Sequence, residues 1–464
     1  MRKFLKIFIP ILLLIFLGLN LLIDQVDYQP YFQTDYYRES RDRLEKLAQE
    51  TTLAQGPLEA GFARLSITPS IALSAEEIEM GRFLGLPLAG YGDREGAPVE
   101  GVHDSLFVSA TALRVGDQTR VLMSADLLII PPNIAEKTSL LLKERTGLSR
   151  DQLFFAATHT HCAMGGWSDR YVGELFAGKL DQELIDWLSE RFAEVIEEAV
   201  ADIQAARMGS TSFQAGEMVY NRLIEEDGRE DGEFLMLKIQ QLEGKTALLG
   251  SFDAHATTLP GSTMEFSADY PGFWRNKLEE SGIDRAIFFA GSVGSHGPEG
   301  KGDGFEQASY IGLALADSVL KYMDEINLQD SSSLSSLTLE MGMPEFQVRV
   351  SEGMSLDSYA SSQLFPTLGK VHVQALRIGN LIWATAPGDF SGELAINLKN
   401  AMYRKGFYSL ISSFNGGYTG YIIPAKYYHF DSYESRMMSW FGPGNGPYMD
   451  EMIRRCMEHL SEQK

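Results

Sequence analysis

His159 and His161 are the residues whose type and spacing speak most directly of chemistry. They lie in Thr158-His159-Thr160-His161, after the apolar run 153–157 and before Gly165-Gly166. The run is short, aromatic-rich and bounded by polar residues, which predicts a buried strand. Side chains at i and i+2 of a strand share a face. The two imidazoles are therefore expected to project together from the strand's carboxyl end, where α/β sheets bind ligands. A neutral imidazole is the commonest side-chain metal ligand.

Further polar residues stand where other apolar strands are predicted to end. They are Asp126, His255, the Gly-rich loop 291–298, Asp389 and the Tyr418–Tyr421 loop. Each alone reads as a capped strand end, and their co-occurrence is what points to a site. Two imidazoles and one carboxylate are a common zinc set that leaves a position open for water. Bound zinc lowers the pKa of that water to about 7.

The elements that must position these residues are legible as alternating strands and helices. Strands are predicted at 62–67, 106–115, 120–125, 233–242, 246–254, 286–290, 337–350, 370–378, 381–386 and 408–414. Helices are predicted at 132–145, 181–206, 307–326, 393–404 and 448–462, with a helix start at 74–81. Leu184, Leu188, Phe192, Val195, Ala199 and Ile203 recur at helical spacing and read as core. Alternation of this kind predicts an α/β fold, one large domain with central β-sheets flanked by helices. No internal repeat appears.

Composition narrows the partners. Among 464 residues, a net charge of −23 repels phosphate backbones and argues against nucleic acid. It also opposes docking on anionic lipid through a basic patch. Cys162 and Cys456 are the two cysteines, either one bridge or two free thiols, so no disulfide framework holds the fold.

Arg2, Lys3 and Lys6 precede an apolar run from Ile7 to Ile23, and Asp24 and Asp27 follow. Basic before apolar before acidic predicts an N-terminal membrane segment with the rest of the chain outside the cytoplasm. The run lacks a small-residue cleavage site, which favours an uncleaved signal anchor over a cleaved signal peptide. The expected organisation is a signal anchor or peptide at 1–28, a helical stalk at 29–60 and one large domain at 61–464.

Thr158-His159-Thr160-His161 followed by a Gly pair resembles the neutral (non-lysosomal) ceramidases, zinc amidases that cleave N-acylsphingosines. The resemblance implies that His159 is a zinc ligand and that His161 stands beside the metal near the reacting carbonyl. Phe252-Asp-Ala-His255-Ala-Thr257 looks like the segment carrying the family's second zinc histidine, and Asn221-Arg222 like its substrate-facing arginine. Pro387-Gly388-Asp389-Phe390-Ser391 resembles the segment of the third ligand, with Asp in place of Glu. Tyr421, after Tyr418, matches a fourth ligand. Gly101-Val-His103 is also similar to a family segment, without an assigned role. The family's catalytic serine lies in a segment matched by Ser292-Val-Gly-Ser-His-Gly-Pro298, which puts Gly297 at the serine position.

The implied function is a zinc-dependent hydrolase that cleaves the amide of an N-acyl lipid or related substrate by metal-activated water. His161, Arg222 and Tyr421 would stabilise the oxyanion, with Ser295 and His296 as nearby catalytic candidates. The alternatives are a zinc-dependent esterase and a non-catalytic zinc-containing binding protein that has lost the serine.

Overall fold

Twelve strands form one branched sheet, and the strand that joins its arms is β1, Ala54–Ser66. The others follow in chain order as β2 (Phe107–Val115), β3 (Gln118–Ala125), β4 (Leu153–Ala157), β5 (Gln204–Gln214), β6 (Glu233–Gln241), β7 (Thr246–Phe252), β8 (Arg285–Ala290), β9 (Ser331–Glu340), β10 (His372–Ile378), β11 (Leu381–Thr385) and β12 (Tyr408–Ser412). Strand β1 pairs with β2 along most of its length, with β9 at its start and with β5 at Glu59 and Ala60. The arms are β2-β3-β4, β5-β6-β7-β8 and β9-β10-β11-β12. This is a computed structural model that describes residues 22–72 and 83–464.

Each arm ends in the same unit, an antiparallel hairpin followed by a helix and a parallel strand. The parallel pairs are β3 with β4, β7 with β8 and β11 with β12. Their crossover helices are α2 (Pro132–Arg145), α5 (Asp269–Glu280) and α7 (Gly392–Tyr403). Parallel neighbours require such a crossover, and covering helices let their strands be apolar on both faces. Strands β4 and β11 are buried at every residue. The threefold recurrence is a matter of topology and leaves no repeat in the residues.

The inner faces of the arms share one core that includes Phe62, Leu113, Phe154, Leu237, Phe289 and Trp383. Helices lie outside it. Helices α2 and α4 (Gln182–Ala201) cover the first arm, and α5 and α6 (Phe305–Tyr322) the second. The third is covered by α1 (Asp35–Glu50), α7 and α8 (Asn445–Glu462). A further helix, α3 (Arg170–Ala177), stands at the carboxyl ends of the strands.

Several elements depart from their sequence reading. Strand β5 begins where the long helix was expected to continue, and its small, polar residues carry little apolar periodicity. The strand expected at 337–350 splits into β9 and a short piece at Arg349–Ser351, with Gly342 and Pro344 between them. Proline lacks the N–H that a ladder needs. The expected stalk is helix α1, and it lies against the domain. Tyr37 and Leu44 are buried in the third arm's core, and Tyr448 Oη donates to Ser40 Oγ at 2.7 Å. The domain also reaches back before residue 29. Ile23–Gln25 pairs antiparallel with Met354–Leu356, and Val26 is buried.

Residues 1–21 of the membrane segment expected at 1–28, and the helix start expected at 74–81, lie outside the described residues, while the end of that segment, Ile23–Gln25, is a strand of the domain. No helix among the described residues is long and apolar enough to cross a membrane. Cys162 and Cys456 are both buried free thiols.

Candidate metal centre and cavity

The chain segments leaving the carboxyl ends of β4, β7 and β11 meet at one point. Strand β4 stops at Ala157, two residues short of His159, so the histidine pair sits in the turn beyond it. His159 takes a left-handed backbone conformation (φ 63°) there. The two imidazoles still converge, His161 Nε2 lying 3.4 Å from His159 Nε2. Asp389 Oδ1 is 3.4 Å from His159 Nε2 and 3.3 Å from His255 Nε2. Tyr421 Oη is 3.0 Å from His255 Nε2.

Backbone carbonyls fix which nitrogen of each ring faces this point. His159 Nδ1 is 2.6 Å from Leu128 O, and His255 Nδ1 is 2.7 Å from Val293 O. A carbonyl only accepts, so both Nδ1 atoms carry the proton and both Nε2 atoms present a lone pair. Such outer hydrogen bonds orient histidines in metal sites. Phe414 stacks on the His159 ring at 4.2 Å and closes its other face.

The electrostatics keep the rings neutral. Burial, then the neighbouring His255, pushes His159 down to about 3. Burial first holds His161 and His255 well below the usual imidazole range. Burial raises Asp389, against the pull of His159. Asp389 Oδ2 accepts from Tyr418 Oη at 2.9 Å, while buried Oδ1 finds no hydrogen-bond partner among the described residues.

An orphaned carboxylate oxygen facing two imidazole lone pairs fits a divalent cation. Zinc ligands at about 2.0–2.1 Å in a tetrahedron stand about 3.3–3.4 Å apart, the spacing Asp389 Oδ1 already has from each of the two imidazole Nε2 atoms. His159, His255 and Asp389 would hold the ion. Tyr421 and His161 border it, and the ligand atoms of His159, His161 and His255 all lie within 4.8 Å of one another.

Arg222 stands across from the carboxylate. Its Nη2 donates to Tyr421 Oη at 2.6 Å, and its Nε pairs with buried Glu434 at 2.9 Å. Burial would lower its pKa, but Tyr421, Glu434 and Asp389 together hold it above the ordinary value. Burial likewise raises the Tyr421 hydroxyl well above the usual phenol range, with Arg222 opposing. Glu434, and Tyr433 beside it on the cavity wall, escaped the sequence reading. The signal available was the density of aromatic residues from Tyr427 to Trp440, directly after the Tyr418–Tyr421 loop.

His159, His161, Asp389, Tyr418 and Tyr421 line the floor of a cavity of about 280 Å³, with His255 buried beneath. Its walls are mostly apolar, including Leu128, Ile129, Trp167, Val172, Phe176 and Trp440, with Asn133, Asp169 and Thr367 among the polar exceptions. The tight wall behind His161 depends on Gly90, because a Cβ there (φ 115°) would come within 2.5 Å of the imidazole.

Other expected site residues are not brought to the cavity. Ser295 and His296 are fully buried behind His255. Ser391 Oγ donates to Ser295 Oγ at 2.9 Å, and His296 Nε2 lies 3.1 Å from Arg229 O. It is their backbone that serves the site, since Ser295 O accepts from Arg222 N at 2.9 Å and His296 O lies 3.1 Å from His255 Nδ1. Gly297 pairs with Tyr220, and a Cβ on it would meet the Tyr220 ring at 2.6 Å. Asp126 is locked to buried Arg275 at 2.5 Å and takes no part in the His159–His255–Asp389 cluster. His103 stacks on Phe305 at 3.7 Å and takes no part. Asn221 is structural, its Oδ1 capping Leu223 N and Ile224 N.

Comparison with solved structures places this arrangement. Neutral ceramidase from Pseudomonas aeruginosa superposes with a TM-score of 0.73, covering 88% of this chain and 75% of that one at 18% identity. The chain has the neutral ceramidase fold. A ceramidase complexed with C2 superposes with a TM-score of 0.71, covering 88% of this chain and 76% of that one at 17% identity. No protein-family model and no curated protein sequence matches the chain. Within this ceramidase fold, the histidines, carboxylate and tyrosine singled out by motif come together, and the loop at the expected serine does not reach the cavity.

Proposed function

We propose that this protein is a zinc-dependent amidohydrolase of ceramidase type that cleaves the amide bond of an N-acyl lipid. The observation that carries the reading is that Asp389 Oδ1 stands 3.3–3.4 Å from the Nε2 atoms of both His159 and His255, with His159 and Asp389 lining an apolar cavity. A bound zinc ion supplies Lewis acidity and makes hydroxide available near neutral pH. The name of the ceramidase complexed with C2 adds support for an acylated lipid. The apolar walls suit an acyl chain, which they would strip of water as it enters.

The chain's own groups divide the remaining work. Tyr421 lines the cavity, and Arg222 Nη2 donates to its Oη at 2.6 Å, so the hydroxyl backed by the guanidinium is suited to a carbonyl oxygen as it gains charge. Glu434 holds the guanidinium in that orientation at 2.9 Å. His161, on the cavity lining 3.4 Å from His159, is the side chain placed to relay a proton from water to the leaving amine. Water oxygen adds to the carbonyl carbon, the C–N bond breaks, and the amine departs with that proton. Ser295 lies outside the cavity, so water is the nucleophile in this reading.

Elemental analysis and turnover test it together. The purified protein is expected to carry about one zinc per chain. His159→Ala and His255→Ala are each expected to lose it, and full retention in both would overturn the metal assignment. A panel of N-acyl lipids, N-acyl sugars and matching esters then reads the reaction. Amide cleavage supports the proposal, ester cleavage alone makes the protein an esterase, and no turnover by the zinc-loaded protein leaves a binding role.

A further inference from the structure

Exposed apolar side chains are not spread evenly over this molecule. Nineteen large ones are exposed among the described residues, and nine fall within the three short stretches 22–28, 349–364 and 430–437. Leu22, Tyr28, Met354, Tyr359, Phe430 and Met437 are among them, Tyr359 at 75% and Met437 at 60% exposure. Contiguous exposed apolar surface of this kind marks an interaction site.

The three stretches make one face. Ile23–Gln25 pairs with Met354–Leu356, which pairs with Arg349–Ser351, which packs on the turn Tyr433–Met437. The short helix Ser358–Leu364 follows and leads into Pro366 and Thr367, both in the cavity wall. Tyr433 belongs to the face and to the cavity lining at once. The apolar face and the cavity mouth are therefore continuous.

The chain's N-terminal end indicates what covers this face. Residues 1–21, with the apolar sequence from Ile7 onward, join the domain at Leu22, whose carbonyl accepts from Asp357 N at 2.8 Å. That junction is one residue from Ser358, the start of the helix beside the mouth. Charge narrows the partner further. The face carries Asp24, Asp27, Glu352, Asp357 and Asp431. Its two cations are engaged, Arg436 with Asp431 at 2.6 Å and Arg349 buried against the Phe430 carbonyl. Among the described residues of these three stretches, no unpaired basic group is left to attract anionic headgroups.

We infer that this face docks on an electroneutral lipid bilayer, the same bilayer that receives the apolar N-terminal segment, and so opens the cavity directly to membrane lipid. Tyrosines and long apolar side chains are suited to the headgroup boundary, where amphipathic rings reside. The inference deepens the lipid-substrate reading, but its test needs neither metal nor turnover, so the two can fail separately.

The full chain carries single-cysteine substitutions Tyr359→Cys, Met437→Cys and Leu242→Cys, each labelled with an environment-sensitive fluorophore. Both native cysteines are buried, which leaves the introduced one to react. Leu242 lies in the β6–β7 hairpin, at the opposite end of β7 from His255. On phosphatidylcholine vesicles, the labels at 359 and 437 are expected to shift to the blue and to be quenched by lipid-borne quencher, while the label at 242 stays aqueous. Tyr28→Cys replaces either rim variant if its urea midpoint departs from the parent's. Three aqueous labels, whether or not the chain floats with the vesicles, would overturn the inference. A larger shift on phosphatidylglycerol than on phosphatidylcholine would overturn the choice of lipid. A shift that grows with protein concentration without vesicles would assign the face to a second copy of the chain.

Discussion

At the scale of single residues, the site separates groups that act through side chains from groups that act through backbone. His161 faces the cavity, whereas Ser295 lends the site only its carbonyl. Ser295→Ala is expected to cost about 1 kcal/mol of stability through lost hydrogen bonding and to keep most turnover. His161→Ala is expected to keep its zinc and lose about 10²–10³-fold in kcat/KM. Loss of all turnover in Ser295→Ala, with zinc bound and the urea midpoint near the parent's, would mean that the serine reaches substrate after all. The residue types at this site were legible in the sequence because histidine pairs and strand-end carboxylates are few and chemically pointed. Glu434 was not, because a glutamate in a polar loop looks like every other solvated glutamate. Only its 2.9 Å contact with Arg222 distinguishes it.

At the scale of elements, loops and strand ends set the geometry. The loop at Gly90 is pressed against His161, so Gly90→Ala should displace the imidazole, keep zinc and lower kcat/KM much as His161→Ala does. Parent-like turnover in that variant would show that the loop yields. His372 opens β10, and burial, then Arg150, lowers its pKa to about 4. The unfolded chain then binds a proton that the folded chain refuses as pH falls from about 6.5 to 4. The parent should lose stability relative to His372→Gln across that window and run parallel to it above 6.5, as urea midpoints would register. A constant difference from pH 7 to 4 would remove the effect. Strong apolar strands such as β4 and β11 were readable within a residue or so. Strand β5 was not, since pairing with β6 imposes extended structure on residues with no such preference of their own.

At the scale of the whole molecule, the domain starts earlier than its motifs do. Ile23–Gln25 completes a three-stranded sheet and Val26 is buried, so a chain beginning at Leu22 should be monodisperse. One beginning at Gln29 bares the edge of Met354–Leu356 and should associate, as light scattering would detect. Equal monodispersity would show the strand to be dispensable. The α/β class was evident from alternation, but the joining of three arms through β1 was not, because pairing partners far apart in sequence leave no local trace. That joining has its own consequence. His159, His255 and Asp389 belong to three different arms, and the first and last stand about 230 residues apart along the chain. A cation held by all three is a staple across nearly half the polypeptide, closing loops that no disulfide closes. Such a staple would need all three arms docked to be complete, so on the proposed ligand set metal uptake would serve as a proofreading signal for the assembled molecule.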